Sequence, residues 1–235
     1  MRLVMTGCDD LRERVIACRR CPRLVNYREH VRIRTRNDSD EIFWRKPVPG
    51  YGELSGKLMI LGLAPAASGG NRTGRVFTGD RSAQFLVSAL YEAGFASQPF
   101  SVSSDDGLHY SGAYVTAAVK CAPPDNKPLR DELHNCTEYL SQEIACMPNV
   151  SAILALGQFA YGALVSLYRE EYGSSKFPGF ENGGHVDVHG VRIFMSYHPS
   201  PRNVNTGKLR REAFMGLLYE IRQYLSSNRS TTNNL

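Results

Sequence analysis

Six cysteines stand out as residues whose type and spacing could do chemistry: Cys8, Cys18, Cys21, Cys121, Cys136 and Cys146. Cys18 and Cys21 form a Cys-x-x-Cys with Pro22 directly after it, and two thiolates so spaced can face one metal centre from a single turn of chain. Cys121 precedes Ala122-Pro123-Pro124, and Cys136 follows within a stretch of helical period. Four thiolates in two pairs suit either a Zn²⁺ ion or an iron–sulfur cluster, although the second pair is too widely spaced for a typical zinc ribbon. Buried, unrelated thiols are the plainer alternative. Cys8 and Cys146 have no partner at useful spacing and read as structural, since a chain of this size needs no disulfide staple.

Three loops carry further candidates. The first, Gly62 to Asp80, is rich in glycine, which lets backbone approach a ligand closely. It lacks the Gly-Lys-Ser/Thr of a phosphate-binding P-loop and the glycines of a hydrolase nucleophile elbow. Within it Phe77 is an aromatic with no obvious partner, and Asp80 precedes a helix, where it could simply be an N-cap. The second loop, Lys120 to Pro128, holds Asn126, whose amide could read the edge of a base or serve a turn. The third, Ser196 to Gly207, opens with His198 held by a stiff Pro-Ser-Pro segment.

The elements that must position these loops alternate. Short apolar runs over 57–62, 113–119 and 151–156 read as buried parallel strands, and 185–196 as one or two more with a turn at His189-Gly190. Helical periods cover 9–20, 82–93, 129–147, 158–171 and 208 to about 225. Such alternation predicts an α/β fold, a parallel sheet flanked by helices on both faces, with ligands at the carboxyl ends of the strands. Residues 1–235 read as one domain, with a basic segment over 1–50 and a polar, flexible tail over 226–235.

The formal net charge of +5 lies entirely in the first fifty residues, mostly as Arg19, Arg20, Arg23, Arg28, Arg32, Arg34, Arg36 and Arg45. Clustered arginines suit phosphate contacts, or are an ordinary solvated face. A chain 42% hydrophobic and 22% charged has the composition of a globular protein. No apolar run reaches membrane-span length and no signal-peptide pattern opens the chain, so an intracellular, cytoplasmic location is expected.

The segments GLAPAASGGNRTGRVFTGD, VKCAPPDNKP and HPSPRNVNTGKL together resemble the motifs of the uracil-DNA glycosylase superfamily, and specifically its family 5, the type-b iron–sulfur enzymes. The resemblance runs from Cys18 to about Leu209. It implies a four-stranded parallel sheet between helices and a [4Fe-4S] cluster on Cys18, Cys21, Cys121 and Cys136, stapling the N-terminal extension. It implies a base pocket at Gly62, Ala64 and Phe77, with Phe77 stacking on the extruded base. Ala64 stands where related families carry an acidic or amide residue, which leaves Asp80 to position water, with Asn126 and His198 as the other catalytic groups. DNA contacts would fall on Ser68, Arg72, Ser200 and Arg202, with Arg202 entering the space vacated by the base. Family 5 members often carry histidine where this chain has Ser68. The implied partner is double-stranded DNA with a mismatched or damaged base, bound by a monomer at the nucleoid, and a pocket without an acid at position 64 is expected to accept bases beyond uracil, such as hypoxanthine. The alternatives are a catalytically silent iron–sulfur or zinc nucleic-acid-binding module, and a zinc- or cluster-dependent nuclease or redox protein.

Overall fold

The apolar runs become the centre of a six-stranded sheet in the computed structural model, which describes residues 8–32, 43–173 and 176–227. Strands β2 (Leu58–Gly62), β3 (Ala113–Ala117), β4 (Ala152–Leu156) and β6 (Val191–Ser196) pair in parallel in the order β3-β2-β4-β6. The expected four-stranded parallel sheet is therefore present, with two further strands added at its edges. Short strands β1 (Tyr51–Gly52) and β5 (His185–Val188) pair antiparallel to β3 and β6 and close the two edges, making the sheet mixed. β5 and β6 form the hairpin turned at His189-Gly190, where both residues have positive φ. The two-residue β1 carries no periodicity that a sequence could display.

Side-chain alternation splits the core. Leu58 and Ile60 pack on the face covered by α4 (Arg81–Glu92) and α8 (Arg211–Ser227), whereas Met59 and Leu61 pack on the face covered by α5 (Arg130–Ala145) and α6 (Gln158–Tyr172). Every residue of β2, β3 and β4 is buried, as both-face coverage requires. α8 begins three residues later than its period suggested and takes in Ser226 and Ser227. The rest of the tail, like Arg34 and Arg36, lies outside the described residues.

The helix expected over 9–20 is shorter in the structure, and a second helix follows it. α1 (Leu11–Ile16) stops before Cys18, so that cysteine sits in the turn leading to α2 (Pro22–His30). Pro22 at the first helical position sets that start. Two short helices within loops, α3 (Gly70–Thr73) and α7 (Pro201–Asn205), are too brief for any apolar stripe. Among the described residues no helix is long and apolar enough to cross a membrane.

Cys8 and Cys146 correct the expectation that each stood alone: they form a disulfide between residues 138 apart in sequence. It links the start of the N-terminal segment to the end of α5, beside the cluster of Leu11, Val15, Leu24 and Tyr139. Spacing along the chain could not reveal it, because the fold alone brings these residues together.

Candidate active site

The three loops converge at the carboxyl ends of β2, β3, β4 and β6. They line a cleft of about 630 Å³ with Ala64, Ser68, Phe77, Asp80, Asn126, His198 and Ser200. That volume suits a small aromatic ligand. Gly62, Arg72 and Arg202 lie outside the lining.

Asp80 does two jobs at once. In extended conformation it caps α4, its Oδ1 accepting from the Ala83 amide at 2.8 Å. The other oxygen, Oδ2, lies against the Cα of Gly69, where a β-carbon would collide with it. Burial pushes the carboxyl pKa above its ordinary value, against the opposing pull of the Ala83 and Ser82 amides and the Arg72 charge. The cap and the site carboxylate are thus one residue.

Phe77 answers the question of what its ring rests on. It lies under the cleft on Gly62, where a β-carbon would come within 2.9 Å of the ring. Its ring also tilts towards the His198 imidazole, with centroids 6.0 Å apart. Gly62 therefore acts as a floor and not as a lining residue. Phe77 adopts φ +46°, a left-handed conformation that costs an aromatic residue about 1–2 kcal/mol. The strain is held by Arg75, whose buried guanidinium donates to Thr78 at 2.9 Å and to Ser101 and Asp106 at 2.8 Å.

His198 lies two residues past the end of β6, beside Gly157, where an added β-carbon would stand 3.3 Å from the histidine Cβ. Asn203 Nδ2 donates to the His198 carbonyl at 2.8 Å, fixing its backbone. Burial lowers the imidazole pKa to about 4, so the ring is neutral at physiological pH. Asn126 ends a single 3₁₀ turn (Pro124–Asn126) with φ +56°, a conformation asparagine tolerates well, and is exposed at the rim.

Arg72 is placed as a brace: its Nε donates to the Ser68 carbonyl at 3.0 Å and its Nη2 to the Gly79 carbonyl at 3.4 Å, holding the loop that ends in Asp80. Ser200 caps α7 through the Asn203 amide at 3.3 Å, and Arg202 is exposed one turn beyond the rim. The sequence reading missed Arg81, Gly157 and Phe159, which also line the cleft. The strand-end rule that found the other loops applies equally to Gly157 after β4, but a one-residue loop gave no motif to notice.

The four remaining cysteines are free; Cys121 and Cys136 lie in the apolar cluster under the N-terminal segment, and Cys18 and Cys21 pack against it. Cys121 and Cys136 are buried, and burial lifts their thiols to about 11 and about 12, for Cys121 against the pull of the Arg28 guanidinium. Arg28 Nη1 donates to Cys121 Sγ at 3.1 Å, and Asn135 Nδ2 to Cys21 Sγ at 3.4 Å. Arg28 Nε is buried without a partner. Among the described residues no three Cys, His, Asp or Glu side chains are grouped so as to hold a single metal ion.

Among the described residues, several arginines of the basic segment already have partners. Arg19 pairs with Glu29, Arg20 with Glu138 and Arg23 with Glu132, while Arg45 donates to the Val31 carbonyl at 3.3 Å. Asn71, at the base of the first loop, donates to the Arg28 carbonyl at 3.0 Å, so this segment is bolted directly to the loop carrying Asp80.

Residues 49–222 match the family model described as the uracil DNA glycosylase superfamily. A type-5 uracil-DNA glycosylase of Pyrobaculum aerophilum is 45% identical over 89% of this chain and 90% of its own length. One of Thermus thermophilus is 45% identical over 88% and 93%. A type-4 uracil-DNA glycosylase of Pyrobaculum aerophilum is 31% identical over 81% of each chain. The matched region holds β1 to β6 and every residue lining the cleft, and on that ground the chain belongs to the uracil-DNA glycosylase superfamily.

Proposed function

We infer that this chain removes uracil from DNA by hydrolysing the N-glycosidic bond, leaving an abasic site for repair. One observation carries the chemistry: a carboxylate, Asp80, and a neutral imidazole, His198, line the same apolar cleft with an aromatic ring between its floor and His198. A base must leave its stack to reach such a cleft, at a cost of a few kcal/mol that is least at a mismatch. Phe77 would then lie against the extruded base and Asn126 would meet its polar edge. As the C1′–N bond breaks, the sugar becomes cationic and the base leaves as an anion. The His198 imidazole, neutral already, donates an N–H to the developing charge without having to lose a proton first. Asp80 faces the cation and orients water; the water oxygen bonds to C1′ and its proton passes to the carboxylate, whose raised pKa suits it as acceptor. No covalent enzyme intermediate is needed.

Cys18, Cys21, Cys121 and Cys136 would hold a [4Fe-4S] cluster. The fit rests on Arg28: a buried guanidinium that already donates to Cys121 Sγ and keeps Nε without a partner suits the sulfur acceptors of an anionic cluster. Bound there, the cluster would supply structural cross-linking of the N-terminal segment to β3 and α5.

Small side chains at Ala64, Ala66 and Ser68 leave the first loop without a group that would reject other bases, so hypoxanthine in DNA belongs to the same substrate range. Duplex DNA with a mismatched or damaged base is the partner, a monomer the working form, and the cell interior, where the genome lies, the location. Incubating the protein with duplexes carrying a single uracil, a single hypoxanthine or neither, followed by alkali, tests this. Strand breaks at both lesions and none in the undamaged duplex are expected. Breaks at uracil alone would restrict the range, and none at any site would leave a silent DNA-binding module.

A further inference from the structure

We propose that Phe159 is the residue that stacks on the DNA base beside the one extruded; this rests on the uracil-excision reading above. Phe159 is 72% exposed, more than any other large apolar side chain among the described residues. It stands in the first turn of α6 and forms part of the cleft wall with Asp80, Asn126 and His198.

Nothing on its own helix covers it. The residue one turn on is Gly162, exposed and with open space where a side chain would be, while the neighbouring Ala160, Tyr161 and Leu164 turn inward to the core. An aromatic ring left bare by a bare glycine, at the mouth of a cleft, is placed for an external partner.

The DNA strand is the occupant the surroundings favour. Gly157 caps α6 at φ +101° without a side-chain hydrogen bond, so the first amides of this 15-residue helix point outward and carry its positive end. A phosphate drawn there would bring the bases beside it against the Phe159 ring. Extrusion strips one face of the adjacent base of its stacking partner, and aromatic side chains replace such stacking without regard to sequence. Arg202, exposed on α7 across the rim, carries a charge better matched to phosphate than to an unstacked base. The vacated-space role that the motif resemblance gave Arg202 therefore passes to Phe159.

The test uses the full-length protein and uracil-containing duplexes with 2-aminopurine next to the uracil, a base that fluoresces when unstacked. Phe159→Ala should bind the duplex about tenfold to hundredfold more weakly than the parent, its complex should be brighter, and its thermal midpoint should be unchanged because the ring is exposed. Phe159→Trp should restore affinity and quenching, and Arg202→Ala should weaken binding without brightening the probe. Equal affinity and equal fluorescence in the parent and Phe159→Ala would overturn the proposal. So would weaker binding with unchanged fluorescence, which is contact without stacking. A parent that binds and quenches but never releases uracil would instead defeat the excision reading while leaving Phe159 in its role.

Discussion

Asp80 and Gly69 are in contact such that no side chain fits between them: a β-carbon on Gly69 would collide with Asp80 Oδ2. The carboxylate is therefore held from two sides, by the Ala83 amide on Oδ1 and by bare backbone on Oδ2. Gly69→Ala should displace the carboxylate and lower kcat about tenfold or more with KM little changed. Steady-state kinetics on a uracil duplex check this, and unaltered kcat would show that the carboxylate position is not critical.

Asp80→Asn separates capping from charge, since asparagine caps a helix as well as aspartate does. Because burial raises the Asp80 pKa in the folded protein, its ionised form costs stability, and its favourable contribution is confined to pH below the unfolded value. Asp80→Asn should therefore be at least as stable as the parent at pH 7, with the difference vanishing in acid. Thermal midpoints at pH 7 and pH 4 measure it. The parent's activity should in turn fall on the acid side at a higher pH than an ordinary carboxylate would give.

His198 carries the opposite shift. With its folded pKa lowered to about 4, the neutral ring contributes stability above the unfolded value near 6.5. That stability is lost as pH falls from there towards 4. His198→Gln should lose less stability than the parent across that window. Its kcat should drop about 10²- to 10³-fold at pH 7, as removal of one aimed donor does.

Lys120 and Glu143 form a fully buried ion pair at 2.6 Å, shared with Thr116, which joins the end of β3 to α5 next to Cys121. Lys120→Met leaves an uncompensated buried carboxylate and should cost about 3–5 kcal/mol. The double variant Lys120→Met with Glu143→Leu should recover most of that loss in denaturant titrations.

The Cys8–Cys146 disulfide closes a long loop and should contribute about 2–5 kcal/mol. Cys8→Ser should lower the thermal midpoint, and reductant should then have no further effect on it.

How much of this was legible in the sequence differs by element. β2, β3 and β4 were, because a strand buried on both faces is a short, mostly apolar run, broken in β3 only by Thr116. The edge strand β1 was not, since two residues cannot show a period. Asp80, Asn126 and His198 were found because each lies in a loop stiffened by proline or loosened by glycine at a strand end. Phe159 lies inside a helix, where an aromatic reads as core until the neighbouring Gly162 is seen to leave it bare. For the arginines, composition reports charge but not pairing: Glu29, Glu132 and Glu138 engage Arg19, Arg23 and Arg20 in the fold. The Cys8–Cys146 bond depends on residues that only the fold makes neighbours.

The central claim, that Asp80 drives water onto a sugar whose base sits in the cleft, is tested most directly under single-turnover conditions. Parent and Asp80→Asn are compared on one uracil duplex, with binding measured in parallel. The account predicts abasic sites from the parent, with release slowed about 10²-fold or more in Asp80→Asn at unchanged affinity. Equal release rates in the two proteins, or no abasic sites from the parent, would contradict it.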